Sequence, residues 1–240
     1  MNKIHIGASG WYYDDWNEVF YPKTLKKNER LHFYSNYFQT VEINSSFYHM
    51  PKEQVIKNWV DQVSDTFLFS VKASQYITHR KRLHEVEDSI RFFFERISFF
   101  KNKIGPILFQ LPPSFQINLE RLDYFLDLLP SDKQCVLEFR HSSWYIEEVY
   151  EKLKRKNCAL CITDLKGKLS PEILTANFTY IRLHGPKLAY AGSYGTRRLN
   201  NWKKKMEKWQ ETGAVFCYFD NTAKSDAIKD ALWLKNKIDS

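Results

Sequence analysis

The sequence contains little glycine and proline and no long hydrophobic run. Eight glycines and eight prolines among 240 residues are too few for a collagen-like or low-complexity chain. No apolar stretch approaches the roughly 18 residues that a membrane-spanning helix needs. The N-terminal residues MNKIHIGASGW lack the apolar core of a signal peptide. We therefore expect a cytoplasmic protein with no membrane partner.

The four cysteines form neither a metal site nor a disulfide framework that the sequence reveals. Cys158 and Cys161 make a C-x-x-C pair, but a structural zinc site needs four ligands and no second pair stands at the required spacing. Cys135, Cys161 and Cys217 lie in apolar runs. We expect buried, reduced thiols, and we predict no metal and no cofactor.

Apolar residues are plentiful, at 43%, and aromatic residues reach 16%, which excludes an intrinsically disordered chain. A chain of this size can bury about 70% of its surface without disulfides. No linker, internal repeat or shift in composition divides the sequence. We therefore predict one domain over residues 1–240.

The formal net charge is +8, from 36 basic and 28 acidic residues. Basic clusters lie at 79–82, 152–156 and 203–205, and the last two fall in helix-like stretches where solvated faces explain them. An anionic partner is favoured by such a charge. We expect a small anionic molecule and keep nucleic acid as an alternative, whereas the oligomeric state is not indicated.

Eight short β-branched or aromatic runs alternate with helical patterns along the chain. Between the sixth and seventh runs, 165–178 leaves room for only an abbreviated helix. Alternation of this kind predicts parallel strands, and eight units in this length predict one closed (β/α)8 TIM-type barrel. A doubly wound open sheet is the rival, although it would lack a G-x-G-x-x-G motif. The predicted strands are 4–8, 40–44, 67–72, 104–110, 135–140, 159–164, 179–184 and 214–220.

Each predicted strand carries its polar residues on one alternating phase, close to its carboxyl end. In a barrel the apolar phase packs under the helices, so the polar phase faces the interior, at the end where barrel enzymes collect catalytic groups. The polar residues of that phase are Glu42, Asn44, Ser70, Lys72, Gln110, Glu138, Arg140, Arg182, His184 and Asp220.

This charge pattern has two interpretations. Three acidic and three basic residues of the inward phase could neutralise one another in a buried structural network. Opposed charges at strand ends also suit an active site, where perturbed pKa values are common. We favour the active site, and we then expect Glu138 and Arg140 to face water in the free protein.

Several segments resemble the YecE-like family, known as domain of unknown function 72. The matching segments are GASGWYYDDW, VEINSSFY, FLFSVK, ILFQLPPSF, LEFRHSSW, YIRLHGP and VFCYFDNTAKSDA. The resemblance extends from Ile4 to about Leu234 and implies a TIM-type barrel without implying a reaction. Asp220 departs from the family pattern, which more often has asparagine there.

Physical roles can be assigned to these positions. Glu42 and Glu138 are candidate general acids or bases, with His184 as a second proton-transfer group. Lysine and arginine side chains suit carboxylate or phosphate oxygens, and aromatic side chains at strand ends could line a sugar or base. The predicted substrate-binding residues are Trp11, Asn44, Tyr48, Lys72, Gln110, Arg140, Trp144, Arg182, Tyr190 and Asn221.

The sequence thus favours a metal-independent acid–base enzyme acting on a small anionic or phosphorylated substrate, possible classes being hydrolase, lyase and isomerase. Three cations among the candidate metal-binding carboxylates oppose a divalent ion. A nucleic-acid binding or processing protein and a non-catalytic ligand-binding barrel remain the alternatives.

Overall fold

The structure, a computed structural model, describes residues 4–239 and alternates strands with helices. The strands are β1 (Ile4–Ala8), β2 (Thr40–Ile43), β3 (Leu68–Lys72), β4 (Ile104–Gln110), β5 (Cys135–Glu138), β6 (Ala159–Leu160), β7 (Ile162–Leu165), β8 (Lys168–Leu169), β9 (Phe178–Leu183) and β10 (Ala214–Phe219). The helices are α1 (Arg30–Ser35), α2 (Ser45–Tyr48), α3 (Glu53–Asp61), α4 (Glu87–Ile97), α5 (Leu119–Leu128), α6 (Glu147–Arg155), α7 (Gly195–Trp209) and α8 (Asp226–Ile238).

The strands form two five-stranded sheets, in the orders β1-β10-β9-β7-β8 and β2-β3-β4-β5-β6. Every pairing is parallel except that of β7 with β8. The predicted α/β class with parallel strands is therefore confirmed. One closed sheet is not found among the described strands, because the backbone ladders belong to two separate sheets.

The predicted sixth strand, 159–164, connects the two sheets. Its first part, β6, pairs with β5, and its second part, β7, pairs with β9. Between them, the backbone N–H of Cys161 still donates to the carbonyl of Leu137 at 2.9 Å. The chain therefore passes from one sheet to the other within a single residue.

A side chain joins the sheets on their other side, where β1 lies next to β2. The hydroxyl of Tyr34, on α1, accepts from the N–H of Ala8 at 2.9 Å and donates to the carbonyl of Thr40 at 3.0 Å. Gly7 permits this close approach, since a Cβ there would lie 2.3 Å from the Thr40 oxygen. We call this junction the β1–β2 seam.

Two apolar clusters follow from the alternation of side chains along the strands. The larger cluster packs the outward phase of the strands against the helices. The smaller cluster draws inward-facing residues from both sheets, so the two sheets enclose a common interior. Its buried members are Leu108, Val136, Ala159, Cys161, Phe178, Tyr180, Phe216 and Tyr218.

The prediction of an abbreviated helix between the sixth and seventh predicted strands is wrong. Lys166 and Gly167 have φ values of 57° and 74°, and they turn the chain into the antiparallel β7–β8 hairpin. Positive φ at both central residues is the requirement of a tight hairpin turn. The following segment, 170–177, has no regular secondary structure. Its Ser170 and Thr175 side chains hold it to the strands by accepting from the N–H groups of Thr163 and Leu160 at 2.9 and 2.7 Å.

Two of the helical patterns between the predicted strands, near 86–100 and 227–238, are confirmed as the helices α4 and α8. The last helix, α8, packs against β1 and β10, next to the start of the chain. All four cysteines are free and buried.

Tyr34→Phe should lower the free energy of unfolding by about 1–3 kcal/mol, because it leaves the buried N–H of Ala8 without its partner at the seam. Urea denaturation measures the loss. Tyr37→Phe is the matched control, since Tyr37 follows Tyr34 by three residues but is 44% exposed, and it should change stability by less than about 0.5 kcal/mol. Equal effects of the two substitutions would show that the seam does not depend on this hydroxyl.

Candidate functional site

The guanidinium group of Arg182 lies at the centre of a charged cluster at the carboxyl ends of the strands. Its Nε donates to both oxygens of Glu42, at 3.2 and 2.9 Å, and its Nη2 donates to Oε1 of Glu42 at 2.8 Å. Nη1 donates to Oε2 of Glu138 at 2.9 Å, and Nη2 also donates to Oδ2 of Asp220 at 3.0 Å. All three guanidinium nitrogens therefore donate to carboxylates of the protein, and Arg182 is only 1% exposed to solvent.

The cluster joins the two sheets. Arg182 comes from β9 and Asp220 follows β10, whereas Glu42 and Glu138 come from β2 and β5 of the other sheet. Parallel strands present their carboxyl ends at the same edge, and the inward phase directs these four side chains toward one another. Arg182 therefore bonds across the interior that the two sheets enclose.

The carboxylate of Glu42 is saturated with donors. Besides Arg182, it accepts from the Ser9 hydroxyl at 2.6 Å, the Tyr180 hydroxyl at 2.7 Å and the Asn44 amide at 3.2 Å. Its side chain is wholly buried. Glu42 thus binds protein groups on both oxygens and presents none to water.

Glu138 contacts a second arginine through its other oxygen. Nε of Arg140 lies 2.5 Å from Oε1 of Glu138, which is the distance of an ion pair. The N–H direction does not meet hydrogen-bond geometry, and among the described residues neither atom has a hydrogen-bond partner. The Arg140 side chain is 10% exposed and Glu138 is wholly buried. The pair therefore connects the buried cluster with the protein surface.

The hydrogen-bond partners of His184 indicate one tautomer of its imidazole. Its Nε2 lies 3.0 Å from Nη2 of Arg140, and since a guanidinium only donates, Nε2 accepts and carries the lone pair. Its proton is therefore on Nδ1, which donates to Oδ2 of Asp220 at 2.9 Å. A carboxylate that orients a histidine in this way leaves Nε2 as the basic nitrogen.

The charges of the cluster determine its protonation. Burial by itself would raise the pKa of Glu138, but the guanidinium groups of Arg140 and Arg182 outweigh it and hold that pKa well below its ordinary value. The same opposition, with Arg182 as the main cation, lowers the pKa of Asp220. Burial would lower the pKa of Arg182, but the carboxylates of Glu42, Glu138 and Asp220 raise it well above its ordinary value. Glu138, Asp220 and Arg182 are therefore charged at neutral pH.

Lys72 lies at the end of β3 and differs from the other cations. Among the described residues, no hydrogen-bond acceptor or carboxylate lies within bonding distance of its ammonium group, which sits 4.2 Å from the ring centre of Phe47. Burial and the nearby charge of Arg182 lower the pKa of Lys72 to about 8. Lys72 is thus a partly buried cation without an ionic partner of its own.

His79 neighbours this lysine, and the sequence did not predict it as a site residue. It lies in a π-helical turn, Tyr76–Arg80, and its ring contacts Phe47 edge to face at 4.9 Å. Burial, followed by the charges of Lys72 and Arg140, lowers its pKa to about 4. His79 is therefore neutral at physiological pH. In the sequence His79 is part of the basic run 79–82, which gave no sign of a site. In the structure the π-helical turn is such a sign, because these turns often occur at functional sites.

The remaining predicted residues lie beside the cluster, at the exposed strand ends or in the interior. Gln110, beside the cluster, pairs in register with Glu138. Trp11 and Asn44 line a cavity of about 510 Å³ beside the β1–β2 seam. Tyr48 and Tyr190 are 65% and 47% exposed near the strand ends.

The side chains of Trp144 and Asn221 are held in the interior. Trp144 is wholly buried, stacks on Phe139 and donates to the carbonyl of Phe115 at 2.7 Å. The amide of Asn221 donates to the carbonyl of Gly192 and to Asp230, both at 2.9 Å. Each of these side chains has its donor committed within the protein.

Ser9 and Tyr180 were not predicted as site residues either, although both donate to Glu42. Tyr180 lies on the inward phase of β9, two residues before Arg182, so the alternation rule could have identified it. Ser9 follows β1 in the segment GASGW, and only its proximity to β2 in the folded chain reveals its role.

The expectation that Glu138 and Arg140 face water is wrong for Glu138. Its carboxylate is wholly buried, because two guanidinium groups each occupy one of its oxygens and exclude solvent. Among the charged groups around Arg182, Lys72, Arg140 and Asp220 retain some exposure, as does the neighbouring His79.

Two features are absent from residues 4–239. No group of three or more His, Cys, Asp or Glu side chains is arranged there to hold a metal ion. None of the helices in this part of the chain is both long and apolar enough to cross a bilayer.

Known proteins resemble this chain over most of its length. A family model described as a protein of unknown function, DUF72, matches residues 5–240. The UPF0759 protein YunF of Bacillus subtilis (strain 168) is 29% identical, over 98% of this chain and 95% of that protein. The UPF0759 protein YecE of Escherichia coli (strain K12) is 31% identical, over 59% of this chain and 50% of that protein. A crystal structure of a DUF72 family protein from Thermotoga maritima MSB8 matches with a TM-score of 0.90 and 25% identity, over 99% of both chains.

Glu138→Gln should lower the free energy of unfolding by about 3–5 kcal/mol, because it leaves two arginines facing a site that has lost its buried charge. Arg140→Met should also destabilise, and the double variant should cost less than the sum of the two. Thermal and urea unfolding measure all three. Glu147→Gln is the control, since its ion pair with Lys154 is exposed and should contribute less than about 1 kcal/mol.

Stability should fall in acid. Because the folded-state pKa values of Glu138 and Asp220 are lowered, the unfolded state takes up protons first as the pH drops below about 4.5. The contribution of both groups is present above that pH and is lost as the pH falls through their folded pKa values. Urea melts over this range should have a smaller pH dependence in Glu138→Gln, and an unchanged dependence would contradict the assignment.

Proposed function

We propose that this chain, which belongs to the DUF72 family of proteins of unknown function, is a metal-independent acid–base enzyme acting on a small anionic or phosphorylated substrate. The substrate would bind over the carboxyl ends of the strands, at the surface formed by Lys72, Arg140, His79 and Asp220. We call this surface the mouth.

We also infer that the two sheets are halves of one closed (β/α)8 barrel. The continuity of β6 with β7, the hydroxyl bridge at the β1–β2 seam and the shared inner cluster support this inference. Such barrels carry their active sites at the carboxyl ends of the strands. The free, buried cysteines fit a reducing compartment and support a cytoplasmic location.

The unpartnered charge of Lys72 is the observation that carries the proposal. Arg182 binds the carboxylates of Glu42, Glu138 and Asp220 directly, and none of the three forms a direct ion pair with this ammonium group. A buried cation without a partner costs free energy, which a protein recovers when an anion binds beside it. Arg140, at the rim, offers a planar second donor group to carboxylate or phosphate oxygens.

The buried groups take supporting roles in this proposal. Arg182, Glu42 and Glu138, which are at most 1% exposed, hold the geometry and do not contact substrate directly. His184 is the proposed proton acceptor, because Asp220 holds its Nδ1 proton and Nε2 carries a lone pair next to Arg140. A substrate anion that draws Arg140 toward itself would free Nε2 to take a proton.

Other predicted residues are proposed to surround the substrate. Gln110 lies beside Glu138, and Tyr48 and Tyr190 border the mouth with exposed rings. The ring of Tyr190 contacts that of His184 edge to face at 5.6 Å. Trp11 and Asn44 would contact a part of the substrate that extends into the cavity at the seam.

A second candidate function is a non-catalytic barrel in which the charged network is purely structural. The complete burial of Glu42, Glu138 and His184 favours it. Such a barrel would lose stability when Glu138 is changed, as the enzyme would, so stability alone does not distinguish the two. Anion binding and turnover do.

Lys72→Met should abolish binding of a small anion and should also stabilise the free protein by about 1–3 kcal/mol at neutral pH. The stabilisation follows because the pKa of Lys72 is lowered from 10.5 to about 8 in the folded state. The unfolded chain therefore binds this proton more tightly, and the stability of the parent protein should rise as the pH increases between these values. Inorganic phosphate titrated by calorimetry, beside urea unfolding, measures both effects.

The exposed Lys204, substituted by methionine, is the control and should change neither quantity appreciably. Arg140→Met should weaken phosphate binding at least about tenfold, the loss of one charge-assisted contact. Failure of the parent protein to bind phosphate or small carboxylates, together with a destabilised Lys72→Met, would overturn the proposal.

A further inference from the structure

The amine of Lys72 has the surroundings of a reactive nucleophile. It ends β3, at the edge where the inward phase of the strands reaches the mouth, and it is partly exposed. Its ammonium group rests on the face of Phe47 and is engaged by no carboxylate within the described part of the chain. A lysine that only stabilised the fold would be expected to hold an acceptor, as Lys103 does with two carbonyls at 2.9 and 2.8 Å.

The groups around Lys72 favour its uncharged form. Burial away from water is the main cause that lowers the pKa of Lys72, and the charge of Arg182 adds to it. The carboxylates of Glu42, Glu138 and Asp220 oppose this effect, but Arg182 binds all three directly. His79, which faces Lys72 from the π-helical turn, is neutral and adds no charge. A lysine beside another cation in an apolar pocket is the arrangement in which amines act as nucleophiles at neutral pH.

We propose that Lys72 forms an imine with a small aldehyde or ketone that carries a carboxylate or phosphate group. This inference rests on the anion site of the proposed function and narrows its substrate class to carbonyl compounds. Arg140 holds the anionic group, while the carbonyl carbon lies over Nζ of Lys72.

The chemistry balances without an oxidant or metal. The lone pair of the neutral amine attacks the carbonyl carbon, the C=O π electrons move to oxygen, and proton transfer gives a carbinolamine. The C–O bond then breaks, the oxygen leaves as water with a proton taken from solvent, and the nitrogen lone pair forms the C=N bond. The resulting iminium cation withdraws electrons from the adjacent carbon. The C–H bond of that carbon becomes more acidic, so that a base such as His184 can remove its proton.

Reductive trapping tests the proposal on the intact protein. Glyoxylate, the simplest aldehyde that carries a carboxylate, is added with cyanoborohydride at neutral pH, and peptide mass mapping locates the carboxymethylated lysine. We expect Lys72 to react at least about tenfold faster than exposed Lys204, because a lower pKa leaves more free amine. The rate should rise with pH and level off above about 8. Inorganic phosphate should slow the reaction at Lys72 and leave Lys204 unaffected.

Formaldehyde with cyanoborohydride is the second arm, since it needs an amine and no anion site. Preference for Lys72 with both reagents, with phosphate slowing only the glyoxylate reaction, supports the proposal. Preference with formaldehyde alone supports the reactive amine and overturns the anion site. Absence of preference with formaldehyde overturns the imine proposal even if phosphate binds normally. Lys72→Arg must remove the modified peptide, and Arg140→Met should reduce the preference for glyoxylate while leaving that for formaldehyde.

Discussion

One buried guanidinium group holds the carboxyl ends of four strands in position. Arg182 reaches from β9 to Glu42 and Glu138 in the other sheet and to Asp220 beyond β10. A buried arginine is tolerated only when its donors meet matched acceptors, so these carboxylates must occupy defined places. The register of the strands, the enclosure of the interior and the positions of Arg140 and His184 all depend on this requirement.

The cluster is layered by solvent exposure. Below, Arg182 and its three carboxylates form a network that is closed to solvent and carries an excess of negative charge. Above, Arg140 shares Glu138 with that network, and Lys72 has no carboxylate of its own. The lower layer explains why the glutamates are poor candidates for direct proton transfer, since their oxygens are occupied. The upper layer is where an incoming anion would meet the ammonium group of Lys72 and the guanidinium group of Arg140.

At the β1–β2 seam, as in the charged cluster, side chains connect the two sheets by hydrogen bonds. Where the backbone ladder is interrupted, the Tyr34 hydroxyl bridges Ala8 and Thr40, and the Ser9 hydroxyl joins the end of β1 to Glu42. Side chains thus replace strand hydrogen bonds at the one junction where the first and second strands meet. The cavity lined by Trp11 and Asn44 opens beside this junction and shares Ser9 and Asn44 with the charged cluster.

The sequence by itself determined the strands, the parallel class and the phase on which the charged residues lie, because side-chain alternation is a local property of the chain. It could not decide which charges would be buried. Glu42 and Arg182 stand 140 positions apart, and Glu138 and Arg182 stand 44 apart, so only the folded chain sets their distances. The split of the sixth strand, the hairpin turn at Gly167 and the burial of Glu138 likewise arose from tertiary packing. Lys72 became distinctive for the same reason: the absence of a partner is a property of its neighbours in space, which no local pattern records.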